Sequence, residues 1–427
     1  MTAARRPTHA RHRRPVPRAV VGAVVAAVAF AGTLGACRAV TSDPAPAGTV
    51  TASPDVAVAK SAPPAPAPPT EFTVLAAGDL LPHDPVVRSA GGGDEFGRLL
   101  DGLDDWVEGA DLALCHLEVP VAPTGTAPSG YPMFGAPAGL VPALAEQGWD
   151  GCSTASNHSV DRGYDGVVTT LDALDEAGMG HVGTARSAAE KKAPQLYEIE
   201  RAGRTLTVAH LSATYGLNGL PMPSQAPWAV TLIDAGRLVA QAERARRDGA
   251  DLVLVSLHAG VEYTENLTDQ QVDVVAALAE SGAVDLVIGH HAHVPQRIDD
   301  VPGGPGGDGM WVAYGLGNLL SNQSADCCDV RTSNGVLLVA DVTQERPGSP
   351  ARVVDVTWTG STVDIAAGHR VHALPDVLDD AAATTLSAGE LAAREDRVAA
   401  AVGDAAAERT EAPEPTGPEP EVVGRTD

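Results

Sequence analysis

The stretch VDLVIGHHAH, residues 284–293, decides how the rest of the chain is read. It opens as a short apolar, β-branched run of the kind that forms a buried strand. The run stops at Gly289 and is followed by three imidazoles, His290, His291 and His293, within four positions. Imidazoles so close together have little use in packing, whereas their neutral nitrogens are common ligands for divalent transition metals. The stretch therefore reads as a buried strand with a ligand cluster at its carboxyl end.

Working outward, the same design recurs. FTVLAAGD (72–79), ADLALCHLE (110–118), GWDGCSTASNH (148–158), LTVAHLS (206–212), DLVLVSLHAG (251–260) and WVAYGLGN (311–318) are short apolar runs that end in polar residues or glycine. Amphipathic stretches such as GVVTTLDALDEAG (166–178) and TDQQVDVVAALAESG (268–282) lie between them. Alternation of this kind predicts an α/β fold of packed layers, in which ligands bind at the carboxyl ends of the strands. Those ends carry Asp79, Glu118, Asn157, His158, His258, His290, His291, His293 and Asn318. Seven of the 13 histidines fall at or just after them: His83, His116, His158, His258, His290, His291 and His293.

Carboxylate, imidazole and amide oxygen together suit Mn, Zn or Fe. A carboxylate shared between two ions, Asp79 or Glu118, would hold them ~3.5–4 Å apart, the arrangement that clamps the attacking and leaving oxygens of a phosphoryl displacement. His158 is the candidate general acid. Asp161 is placed to orient it through a hydrogen bond.

These residues also carry a family likeness. Gly78-Asp79, Leu117-Glu118, Ser156-Asn157-His158 with Asp161 and Gly163, Gly183-Thr184-Ala185-Arg186, His258-Ala259-Gly260 with Glu262-Tyr263, Gly289-His290-His291-Ala292-His293 and Gly315-Leu316-Gly317-Asn318 occur in sequence. Their order and rough spacing resemble the CapA (poly-γ-glutamate capsule synthesis) family, over residues 72–322. That family lies in the calcineurin-like metallophosphatase superfamily. The resemblance implies a layered β-sandwich flanked by helices (αββα) and two divalent metal ions. It implies ligands among Asp79, Glu118, Asn157, His258, His291 and His293, with His158 near the leaving group. His116 stands where the family usually has Asn, and Ala292 where it usually has Pro. The superfamily's first motif often reads Asp-x-His, but His83 lies four residues after Asp79. Register alone does not choose between His290 and His291, and His83, His116, His290 and Asn318 are additional candidates.

The two ends differ in composition from this centre. Residues 1–18 contain six arginines, residues 19–36 (AVVGAVVAAVAFAGTLGA) are apolar and uncharged, and Leu34-Gly35-Ala36-Cys37 follows the pattern of a bacterial lipobox. Residues 1–36 thus read as a lipoprotein signal peptide, with Cys37 as the lipidated residue and the folded part anchored on the extracytoplasmic face of the cell membrane. Residues 37–70 form an Ala/Pro-rich, disordered linker, and 71–375 the metallophosphatase-type domain. Residues 376–427 read as an acidic Ala/Pro-rich, disordered tail with room for one helix.

The net charge is −26, and without the six leader arginines 23 basic residues face 55 acidic ones. So acidic a chain repels nucleic-acid phosphate, which excludes a nucleic-acid partner. In an oxidising compartment the four cysteines beyond Cys37 permit disulfides. Cys115 and Cys152 are candidates for a bridge between neighbouring strands or for buried free thiols, and the adjacent Cys327 and Cys328 are expected to pair elsewhere or stay free. Two functions compete. One is a metal-dependent hydrolase of a phosphoester or of a poly-γ-glutamate-related substrate. The other is a non-catalytic component that binds or helps export an anionic polymer through the same pocket.

Overall fold

The computed structural model describes residues 67–425. The leader, Cys37 and nearly all of the expected linker lie outside the described residues. The chain runs through one sheet, crosses into a second and returns to the first. The opening strands are β1 (Thr70–Leu80), β2 (Leu112–Leu117), β3 (Gly151–Ser153) and β4 (Gly180–Val182). The second sheet takes β5 (Gln195–Arg201), β6 (Arg204–Thr214), β7 (Leu252–His258), β8 (Leu286–His290), β9 (Ile298–Val301) and β10 (Met310–Ala313). The first sheet is completed by β11 (Asn318–Leu320), β12 (Asn334–Gln344), β13 (Arg352–Asp364) and β14 (Arg370–Ala373). The order of the first sheet is β14-β13-β12-β1-β2-β3-β4, with β11 also on β1, and that of the second is β5-β6-β7-β8-β10-β9. β1 to β4 are parallel, as are β6, β7, β8 and β10.

The strands read as continuous apolar runs because both faces of each sheet are covered. Phe72, Val74, Leu112, Leu114 and Leu338 of the first sheet pack against Leu206, Val208, Leu252, Leu254, Leu286 and Ile288 of the second. On the outer side of the first sheet, Leu75, Ala113 and Cys115 meet Phe96, Trp106, Leu144 and Leu171 from its helices. On the outer side of the second, Val253, Val255 and Val287 meet Leu238 of helix Ala235–Arg247 and Val274 and Leu278 of helix Asp269–Ser281. The latter helix starts with a capping box, Thr268 and Gln271 satisfying each other's backbone N–H groups. The result is the expected α/β architecture: two sheets face to face, flanked by helices.

Two glycines let the sheets close around the carboxyl ends. At Gly78 a β-carbon would lie 2.3 Å from the Gly317 carbonyl oxygen. This close approach brings β11 onto β1 and coincides with a register shift between Ala76 and Asp79. At Gly289 a β-carbon would lie 1.9 Å from the Tyr314 carbonyl oxygen, so only glycine admits the neighbouring chain there.

Residues beyond 375 take a larger part in the fold than their composition implies. Helix Ala388–Val402 buries Leu391, Val398 and Val402 in the same apolar layer as Trp358. Beyond it, β15 (Ala407–Glu408) pairs with β13, and β16 (Glu421–Val423) pairs antiparallel with β5 in the second sheet. Thr416 N–H donates to the buried Asp111 carboxylate, 2.7 Å, which is also paired with Arg201. An edge strand is held by backbone N–H and C=O groups, so an acidic, proline-rich composition does not reveal it. No helix among the described residues is long and apolar enough to cross a membrane.

Cys115 and Cys152 are register partners on the β2–β3 pair and form a disulfide, one of the two alternatives open from sequence. Cys327 and Cys328 correct the expectation that they pair elsewhere or stay free: they are joined to each other. The chain fixes their Cα atoms 3.8 Å apart, and the other cysteines among the described residues are already paired. The Cys115–Cys152 bridge closes a loop with a sequence separation of 37. Loop entropy then predicts that Cys152→Ala lowers unfolding free energy by about 3–4 kcal/mol, measured by denaturant titration under non-reducing conditions. Free thiols at both positions in mass spectra of non-reduced peptides would contradict the bridge.

Candidate metal centre

Strand periodicity builds the centre. On the layer between the sheets, inward residues alternate, and each contributing strand turns from apolar to polar toward its carboxyl end. On β6 the inward series is Leu206, Val208, His210, Ser212, Thr214. On β7 it is Leu252, Leu254, Ser256, His258, on β8 Leu286, Ile288, His290, and on β2 Leu112, Leu114, His116. All of these polar side chains are buried. The loops beyond add Glu118 after β2, Asn157 and His158 after β3, and His291 and His293 after β8. Asp79 lies near the end of β1.

Asp79, Glu118 and His293 form one group whose ligand atoms lie within 4.8 Å of one another. His293 Nδ1 lies 3.2 Å from Asp79 Oδ2, and His293 Nε2 3.8 Å from Glu118 Oε1. On the other side of Glu118, His258 Nε2 lies 3.9 Å from the same Oε1 and 2.7 Å from Asn157 Oδ1. The His291 ring stands 4.8 Å from that of His258. Glu118 thus lies between His293 and the His258–Asn157 pair, while Asp79 lies between His293 and His290. Asp79 is tied down differently: its Oδ2 accepts the His291 backbone N–H at 3.0 Å. Both His291 (φ 92°) and His293 (φ 56°) adopt left-handed backbone conformations, uncommon for such residues. This strained turn presents two rings from one short loop.

The remaining candidates separate into roles. His290 turns inward, stacks on His116 at 4.0 Å and places Nδ1 3.3 Å from Asp79 Oδ1. The His291 ring faces the other way, 4.5 Å from that of Tyr215. Asp79, His116 and His290 form a further close group, but both nitrogens of His116 are engaged, with Ser153 Oγ at 2.7 Å and His258 Nδ1 at 2.9 Å. It orients His258. Asn318 likewise orients His293: its Oδ1 accepts from His293 Nδ1 at 3.0 Å, and its Nδ2 donates to the Thr332 carbonyl at 2.9 Å. His83 stands outside the ligand groups, with Nδ1 on the Leu81 carbonyl at 2.9 Å and its ring edge-on to Phe134. His158 Nδ1 donates to Asp161 Oδ2 at 2.7 Å, and the Phe134 backbone N–H donates to the same oxygen at 2.7 Å.

Sequence reasoning missed Tyr215, which flanks His258 and His291, and Asn218, which touches both Asn157 and His158. The available signal was the polar TYGLNG (214–219) directly after an apolar run. Glu262, read only as part of a motif, groups with His291 and His293.

A family model for "Bacterial capsule synthesis protein PGA_cap" matches residues 73–323. The chain belongs to this family. Among curated relatives it is similar to the capsule biosynthesis protein CapA of Bacillus anthracis, 28% identical over 43% of each chain. It is also similar to the PGA biosynthesis protein CapA of Bacillus subtilis, 27% identical over 43% of this chain and 45% of the relative. The chain thus spans less than half the length of these relatives. Among solved structures it is similar to the calcineurin-like phosphoesterase YfkN of Bacillus subtilis, with 13% identity and a TM-score of 0.40, over 78% of this chain and 97% of that one.

For this PGA_cap member, the donor set fits divalent cations on its own geometry. Both carboxylate oxygens of Glu118 are buried without a hydrogen-bond partner, as are Asp79 Oδ1 and His291 Nδ1. Burial drives the Glu118 carboxyl well above the usual range, partly opposed by His293. Burial opposes ionisation of Asp79 too, but His290, His293 and His116 hold it well below. Burial keeps His258 neutral, and pushes His291 down to about 3. Burial lowers His293 as well, but Glu118 and Asp79 outweigh it and raise the imidazole to about 9. The metal-free centre thus carries a proton on His293 that a metal ligand must give up. At pH 7.5, below that value, Mn2+ binding should release on the order of one to two protons per molecule, read by calorimetry in buffers of different ionisation enthalpy. Above pH 9 the His293 contribution should vanish. Binding with no proton release at pH 7.5 would contradict His293 as a ligand.

Proposed function

We propose that this protein is a metal-dependent hydrolase acting on a phosphoester or on the γ-glutamyl amide bonds of a poly-γ-glutamate-related polymer. The observation that carries the reading is the Glu118 carboxylate: fully buried, without a hydrogen-bond partner, and flanked by imidazoles from two strand ends of the second sheet. An uncompensated buried charge is costly, and such groups are paired or coordinate metals. Asp79, Glu118 and His293 would hold one divalent ion, and Glu118, Asn157, His258 and His291 a second. Bound there, such ions supply Lewis acidity toward the substrate oxygen and toward an attacking water.

The chain's own residues supply the rest. His158 presents Nε2 toward the exposed Asn218 side chain, where a leaving group can reach it; once that atom takes up a proton in place of the Asn218 contact, the imidazolium delivers it as the bond breaks. Asp161 holds the opposite N–H and stabilises the imidazolium before transfer. The edge of Phe134 packs against the His158 ring at 4.8 Å and limits its rotation. His116 and Asn318 keep His258 and His293 in their orientations. The names of the Bacillus relatives, which refer to capsule and PGA biosynthesis, support a role in handling an anionic capsule polymer. The basic and apolar leader with Cys37 supports a lipid-anchored position on the extracytoplasmic face of the membrane.

Glu118→Ala should bind less metal by elemental analysis. His158→Ala should keep its metal and turn over ~10²–10⁴-fold more slowly, most for poor leaving groups. Metal bound without turnover on a panel of phosphoesters and γ-glutamyl oligomers would instead favour the polymer-binding or export reading. Absence of metal after reconstitution with Mn, Zn or Fe would defeat the proposal. For the anchor, Cys37→Ala should abolish fatty-acid labelling and shift the protein out of the membrane fraction, and unchanged labelling would contradict it.

A further inference from the structure

Six hydrogen bonds join Ser153 to Asp161 through the centre in an unbroken series. Ser153 Oγ meets His116 Nδ1 at 2.7 Å, and His116 Nε2 meets His258 Nδ1 at 2.9 Å. His258 Nε2 meets Asn157 Oδ1 at 2.7 Å. Asn157 Nδ2 donates to Asn218 Oδ1 at 3.0 Å, Asn218 Nδ2 reaches His158 Nε2 at 3.4 Å, and His158 Nδ1 reaches Asp161 Oδ2 at 2.7 Å. A carboxylate accepts only, so the proton of His158 sits on Nδ1 and its Nε2 accepts from the Asn218 amide. Asn218 then has its oxygen toward Asn157, and Asn157 in turn has its own oxygen toward His258. Each assignment forces the next.

Asn218 is the only member of the series that is exposed. It has a left-handed backbone, φ 52°, on the segment that leaves β6. That segment is pinned across the top of β7 by the Tyr215 N–H bond to the His258 carbonyl at 2.9 Å. Asn218 joins the side chain of the candidate ligand Asn157 to that of His158. An asparagine carboxamide can present either an acceptor oxygen or a donor nitrogen, and only the oxygen can ligate a cation.

We propose that Asn218 is a positioning residue of this centre: by accepting from Asn157 Nδ2 it turns the Asn157 oxygen inward as a ligand, and by donating to His158 Nε2 it holds the candidate acid in register with it. The proposal rests on the metal reading of the site. Its test uses the full-length protein and two variants. Asn218→Gly deletes the carboxamide while tolerating the left-handed backbone. Asn218→Asp keeps the acceptor toward Asn157 and loses the donor toward His158.

In metal-free protein, the Asn157 side-chain amide should be shifted in ¹H–¹⁵N spectra and exchange faster in Asn218→Gly, but not in Asn218→Asp. By calorimetry, Mn2+ affinity should fall ~10–100-fold in Asn218→Gly, as when an outer partner of a ligand is lost, and should not weaken in Asn218→Asp. Circular dichroism melting of the metal-free variants checks that folding is retained. An unmoved Asn157 amide in Asn218→Gly overturns the proposal, and so does Mn2+ affinity equal to wild type. If wild type itself binds no Mn2+, the metal reading fails, and the amide spectra alone decide whether Asn218 orients Asn157.

Discussion

The carboxylate of Glu118 is the constraint around which the rest is organised. It is completely buried, its two oxygens receive no hydrogen bond, and imidazoles from two different strand ends of the second sheet approach it from either side. Left alone in a low-dielectric interior, an ionised carboxylate is destabilising by several kcal/mol, and its ordinary escape is to take up a proton. The shifts of its neighbours show the same tension: the Glu118 carboxyl is driven up, the His293 imidazole is held charged and the Asp79 carboxyl is held ionised. A centre that balances its charges only by trapping protons is suited to exchange them for cations. Stability has been conceded here in favour of a site.

The concession is confined by the two-sheet layout. One half of the inter-sheet layer is Leu, Val, Ile and Phe, and supplies the apolar burial that holds the sheets together. The other half is His, Ser, Thr and Asn, buried and only in part satisfied by one another. Parallel strands all bring their carboxyl ends to the same edge, so a single change from apolar to polar along each strand collects every polar side chain in one place. The outer layers, where helices cover both sheets, are built on large apolar clusters. Loss of packing at the centre is thus offset by three apolar layers that do not depend on it.

The supporting residues matter as much as the ligand candidates. His116, Asn318 and Asn218 hydrogen-bond His258, His293 and Asn157 respectively, and Ser153 holds His116 in turn. His116 stands where the CapA family usually has Asn, and its ring still finds two partners and a stacking neighbour in His290. Such orienting contacts narrow the rotamers available before any cation arrives, which is how a site reaches usable geometry without large rearrangement.

Much of this was legible in the sequence. The apolar runs and their polar ends gave the strands and the edge where function sits, because strand length, β-branching and a terminal glycine are local properties. The His290–His293 cluster marked the candidate site for the same reason. Tertiary structure alone decided the rest. Which candidate ligands Asp79 and Glu118 each meet depends on how two sheets cross, not on spacing along the chain. His290 and His291 are adjacent and point to opposite sides, one onto His116 and the other onto Tyr215, but which of them does so depends on the register of β8 in its sheet and on the left-handed turn that ends it at His291. Asn218, β15 and β16 were invisible because their roles rest on hydrogen bonds to residues tens to hundreds of positions away. The sequence by itself determined which chemical groups stand at the strand ends. Only the packing of one sheet on the other determined which of them meet, because contact between the sheets is set by register and crossing geometry that no local pattern encodes.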